Sequence, residues 1–135
     1  MIHDEVNTML RTIGLPSLQV ARQEPLALKI QVGKQPGAGF ISLVADTAQH
    51  YVVWRYMVKL NGYFVGHTES WLSQVSNLSY HEQMARYGFR HSWCFYQDHL
   101  CLLSWQDINA SSTELEQRLE QMMQRIKEVG GYLVN

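Results

Sequence analysis

The sequence predicts an α+β fold: an antiparallel sheet of about five strands with three main helices, in the order helix, three strands, helix, two strands, helix. Three observations carry this. Residues near both ends repeat their apolar side chains at helical spacing, residues 26–32 alternate with a period of two ahead of two further strand-forming runs up to residue 58, and residues 90–107 have the pattern of a strand pair joined by a polar turn. Hairpin-linked strands imply antiparallel pairing, and the absence of an internal repeat or low-complexity segment leaves no sign of a solenoid or linker.

The first helix is marked by Val6, Met9, Leu10 and Ile13, with Asp4 and Glu5 suited to a first turn and Gly14 just past the last apolar residue. Leu15-Pro16 turns the chain. Leu26, Leu28, Ile30 and Val32 then alternate as a half-buried strand does, ending at Gly33. A turn-prone stretch, 33–39, leads into a second strand from Phe40 to Val44. Asp46 to Gln49 connects this to a third from His50 to Val58, rich in β-branched and aromatic residues. Residues 59–67 are compatible with a hairpin tip or an irregular crossing. From Thr68, Trp71, Leu72, Val75 and Leu78 recur at helical spacing, and Ser79 with Glu82 resembles a capping box opening a further short helix before Gly88.

In the hairpin, a two-residue turn at Gln97-Asp98 sets Cys94 opposite Cys101. Phe95, Leu100 and Leu102 then share one face, and Cys94, Cys101, Leu103 and Trp105 the other. A strand pair apolar on both sides must be covered twice. The last helix is capped by Ser111-Ser112-Thr113, carries Glu114 and Glu116 in its first turn, presents Leu115, Leu119, Met122, Met123 and Ile126 as a stripe, and is expected to close at Gly130-Gly131.

With 135 residues, 46% of them apolar, the chain suits one core, so residues 1–135 are expected to form a single domain. Eleven Lys and Arg against twelve Asp and Glu, with no block of either sign, argue against nucleic acid as a partner. Two acids at the N-terminus where a secretory leader would be basic, and no apolar stretch of ~20 residues, predict a cytoplasmic protein with no membrane insertion. Two N-x-S sequons, at Asn77 and Asn109, then count as chance matches.

Chemistry is sparse. The glycines at 33, 37 and 39 precede a strand, whereas a phosphate loop opens a helix, and no Gly-Lys-Ser/Thr occurs. Histidines at 3, 50, 67, 81, 91 and 99 include no H-x-x-x-H pair, and the two cysteines are not in C-x-x-C, so no metal or cofactor is expected. No nucleophile elbow or Cys-His signature is present, which favours binding over catalysis. The four tryptophans, seven tyrosines and six methionines exceed what one sheet and three helices readily hide, so part of this surface is expected in an interface.

The element order resembles the class I chaperones of type III secretion, small cytoplasmic dimers that hold the N-terminal segment of an effector before export. Ile13-Gly14-Leu15-Pro16-Ser17-Leu18 resembles the family's passage out of its first helix. Phe40-Ile41-Ser42-Leu43-Val44 followed by Tyr51-Val52-Val53-Trp54 resembles its second and third strands, above all in the subgroup serving several effectors, and 114–129 holds the place of its closing helix. The chain departs from the family in its near-neutral charge and in a longer 60–67 segment. The resemblance implies a type III chaperone-like fold and a non-enzymatic chaperone without cofactors. Its partners would be secreted effectors, a second copy in a homodimer, and the secretion ATPase. Effector contact is implied for Leu18, Val20, Leu26, Leu28, Ile30 and Phe40, and a dimer interface for Trp71, Leu72, Val75, Trp93 and Phe95. The competing readings are a small-molecule-binding domain or enzyme with an apolar pocket, worked by a histidine such as His50 or His91, and an adaptor with a flat interface.

Overall fold

The computed structural model describes residues 1–33, 39–59, 91–96 and 99–133, of which 91–96 and 128–133 are described by their backbone alone. Its framework is an antiparallel sheet of β1 (Leu26–Gln31), β2 (Phe40–Ala45), β3 (Tyr51–Lys59), β4 (His91–Tyr96) and β5 (His99–Asp107). The spatial order is β1-β2-β3-β5-β4, so β5 lies inside and β1 and β4 carry the edges. Helix α1 (Ile2–Thr12) precedes the sheet and α2 (Ser112–Leu133) follows it. The predicted helical region at 68–88 and the open question at 60–67 lie outside the described residues.

Helix α1 stops where its sequence says it should. Gly14 takes φ +82°, its N–H bonds Arg11 O at 3.2 Å, and the Leu15 N–H reaches back to Leu10 O at 2.8 Å, the paired bonds of a Schellman end. The β2–β3 turn is closed by Gln49 N–H to Asp46 O, with the Asp46 carboxylate taking the Ala48 N–H. At the start of α2, Ser111 and Glu114 exchange side chain–backbone bonds at 3.2 Å as a capping box, and Glu5 of α1 accepts the Ser112 N–H at 2.6 Å.

Alternation sorts the sheet into two faces. Leu26, Leu28, Ile41, Leu43, Ala45, Val52, Trp54, Tyr56, Leu100 and Leu102 turn inward against Val6, Met9 and Leu10 of α1 and Leu115, Leu119, Met122 and Ile126 of α2. Two polar links cross this core. Trp54 donates to Gln106, which donates to Glu114 O. Arg118 donates at 2.7 Å to the buried Ser104 hydroxyl and to Trp105 O, and burial lowers its guanidinium pKa. The second face carries a row in register, Ala27–Val44–Val53–Trp105, of which Val44 is 44% and Trp105 39% exposed.

Two expectations for α2 are corrected. Met123 is 42% exposed, because it follows Met122 by one residue and so lies about 100° round the helix from the buried stripe. The helix also continues through Gly130 and Gly131 to Leu133, showing that a glycine pair does not by itself break helical hydrogen bonding. The hairpin register is as read: Cys94 faces Cys101, Phe95 faces Leu100 and Tyr96 faces His99.

Candidate functional site

A surface groove lies along β1 and the segment that precedes it. Among the described residues this strand pairs with β2 on one side, which makes its other side an edge of the described sheet. Facing that edge is the approach segment 18–25, which would be loose on composition alone and is tied to α1 at three points. Asn7 donates through Nδ2 to Val20 O at 3.0 Å and accepts the Val20 N–H at 2.7 Å, so one amide side chain answers both backbone groups as a neighbouring strand would. Asp4 accepts from Arg22 through both carboxylate oxygens, at 2.9 and 3.1 Å. His3, fully buried, has Nε2 3.1 Å from Gln23 O and 4.0 Å from the Glu24 carboxylate.

Between the tethered segment and the strand lies a groove of about 350 Å³, lined chiefly by Leu18, Val20, Pro25, Ala27, Leu28 and Lys29. Gln19 and Gln23 stand beside Leu18 and Val20 in the wall formed by the approach segment. Lys29 also borders the groove.

The residues implied for effector contact divide on this geometry. Leu18 and Val20 are half-buried at the groove. Leu26 and Leu28 are corrected: at 1% and 6% exposure they belong to the core, because the period of two turns them toward α1 and α2, and only the margin of Leu28 reaches the groove. Ile30 is half-buried against the same core. Phe40 is 38% exposed on the opposite face, beneath the Lys29 ammonium. Of the implied dimer residues, Trp71, Leu72 and Val75 lie outside the described residues, while Trp93 and Phe95 hold register positions opposite Leu102 and Leu100 on the edge strand β4.

Two further hollows open on the surface. One, of about 620 Å³, runs between Ile13, Val32 and the Leu119, Met123 and Ile126 side of α2. The other, of about 390 Å³, sits on the side of the sheet opposite α1 and α2, among Lys29, Phe40, Arg55 and Lys59. The apolar-pocket enzyme reading finds His50 exposed rather than enclosed, and His91 on β4 is described by backbone alone. Among the described residues no three His, Cys, Asp or Glu side chains gather as a metal site would require, and no helix is long and apolar enough to cross a membrane.

The sequence reading missed Asn7, Asp4 and His3 as anchors. Their only signal was polarity at the flank of an amphipathic helix, shared by any solvated side chain.

No family model matches the chain, and no curated protein is similar to it in sequence. Among solved structures, the fold is similar to that of YbjN from E. coli, a protein proposed as a transcription regulator. The two align over 96% of this chain and 91% of that one with a TM-score of 0.52 and 13% identity, a likeness of fold alone.

Proposed function

We propose that the chain is a non-enzymatic binding protein of chaperone type that holds an extended, partly apolar segment of a client against the edge strand β1. The observation that carries this is the groove between β1 and the α1-tethered segment 18–25. An extended peptide there would extend the sheet by main-chain hydrogen bonds and set alternate side chains against Leu18 and Val20, the physics of strand addition. Lys29 at the groove's border favours an acidic residue in the client.

The client class we put forward is the N-terminal segment of type III secretion effectors, bound in the cytoplasm by a homodimer whose chains complete the order helix, three strands, helix, two strands, helix. Its support is the resemblance in element order and in the Ile13–Leu18 and Phe40–Trp54 stretches. The exposed row Val44–Val53–Trp105 offers apolar area for a second copy.

The test is co-expression with effector N-terminal segments followed by affinity capture. The reading requires a stable complex that protects the client segment from proteolysis, weakened at least tenfold by Val20→Asp or by Ala27→Trp, which fills the groove. A chain that captures no such segment, or whose binding ignores both substitutions, would remove it.

A further inference from the structure

The face of the sheet opposite α1 and α2 carries a second, chemically different hollow. Lys29, Ser42 and Arg55 are register partners across β1, β2 and β3, so their Cβ atoms follow one another at neighbouring-strand spacing. Arg55 and Lys59 are four residues apart on β3 and therefore share a face. Together with Phe40 and Met57, these side chains surround a cavity of about 390 Å³ whose described lining includes no carboxylate. In a chain of net charge −1, this concentrates three cations around one opening.

One of these cations is held by an aromatic ring. The Lys29 ammonium stands 4.2 Å above the centre of the Phe40 ring, a cation–π contact that holds it over the cavity. The Ser42 hydroxyl donates to Arg55 O at 3.3 Å, joining β2 and β3 directly beneath the site. The Arg55 side chain is exposed, so its guanidinium reaches solvent with a planar fork of donors matched to two oxygens of one tetrahedral anion.

We propose that this pocket binds an organic phosphate monoester. Arg55 would take two phosphate oxygens, Lys29 would supply further positive charge, and Phe40 and Met57 would form the apolar wall for the ester's carbon body. The site is separate from the peptide groove and does not depend on that reading, although Lys29 borders both. Because the charges are exposed, binding is screened by salt and weakens as ionic strength rises.

The experiment is a nuclear magnetic resonance titration of the full chain with phenyl phosphate. Saturable shifts are expected at Lys29, Ser42, Arg55 and Lys59. Arg55→Gln should weaken binding at least tenfold and Arg55→Lys less, since it keeps the charge but loses the fork. Lys127→Gln, on α2, and Val20→Asp, in the peptide groove, should leave it unchanged. All three substituted positions are exposed or half-buried, and equal melting temperatures would show that the variants fold alike. Sedimentation with phosphatidic acid vesicles separates a lipid headgroup from a soluble ester, and either source supports the proposal when Arg55→Gln abolishes it. No saturable shift, an unchanged affinity in Arg55→Gln, or occupation of the pocket by a glutamate-rich peptide but not by phenyl phosphate would overturn it.

Discussion

At the scale of single residues, close approach decides what is tolerated. Gly39, just before β2, lies so near β3 that a Cβ there would sit 2.6 Å from Met57 O and press on the Tyr56 ring. Gly39→Ala is therefore expected to destabilise the fold by about 1–3 kcal/mol, measured as a lower denaturant midpoint, since backbone cannot move aside as a flexible side chain can. Tyr56 provides a pH prediction. Burial raises its phenol pKa above the ordinary value near 10, so the folded chain keeps the proton at a pH where the unfolded chain has released it. The contribution is whole below that ordinary value and is lost as pH rises through the folded pKa. Unfolding free energies measured at pH 9 and pH 11 should fall more steeply for the native chain than for Tyr56→Phe.

At the scale of elements, the ends of α2 and the flank of α1 matter more than helix interiors. The α2 N-terminus is answered twice, by its own Ser111–Glu114 box and by Glu5 from α1. Ser111→Ala should cost about 1 kcal/mol. Glu5→Ala should cost more, about 1.5–3 kcal/mol, because it removes a charge-assisted bond that also joins the two helices. Both are read from thermal melts, and equal losses would refute this ranking. Asn7→Ala leaves the N–H and C=O of Val20 without their partners, so amide exchange at residues 19–21 should quicken while that of β3 stays slow. The same variant should weaken client capture, because the groove's outer wall is no longer held.

At the scale of the molecule, the sheet has more apolar surface than its two described helices cover. Phe40, Val44, Tyr51 and Trp105 on the outer face are each more than a third exposed. The proposed homodimer predicts a species of twice 15.7 kDa in sedimentation, and Val44→Asp with Trp105→Asp should reduce it to one copy. A wild-type chain that sediments as a single copy at high concentration would remove the homodimer. Val44 stands two residues from Ser42 on the same face, diagonally next to Arg55, so the carboxylate of Val44→Asp should also weaken phenyl phosphate binding.

Much of this architecture was legible before any coordinates. Helix α1 and its stop at Gly14, the alternation of β1 to β3, the Cys94–Cys101 register and the cap of α2 are local, and local spacing and capping chemistry act over a few residues. What spacing left undecided was direction. Leu26 and Leu28 read equally well as a client surface and as core, since a period of two separates the faces of a strand without saying which faces inward.

Only the tertiary structure settled that Leu26 and Leu28 are buried while Val44 and Trp105 are open, because α1 and α2 pack on one side of the sheet. It also brought Asn7 to Val20 and Lys29 to Arg55, pairs separated by 13 and 26 positions along the chain. The sequence determined which segments become helix and strand, through interactions among near neighbours. Grooves and charge clusters arise where distant segments meet, and their chemistry belongs to the register and packing that bring them together.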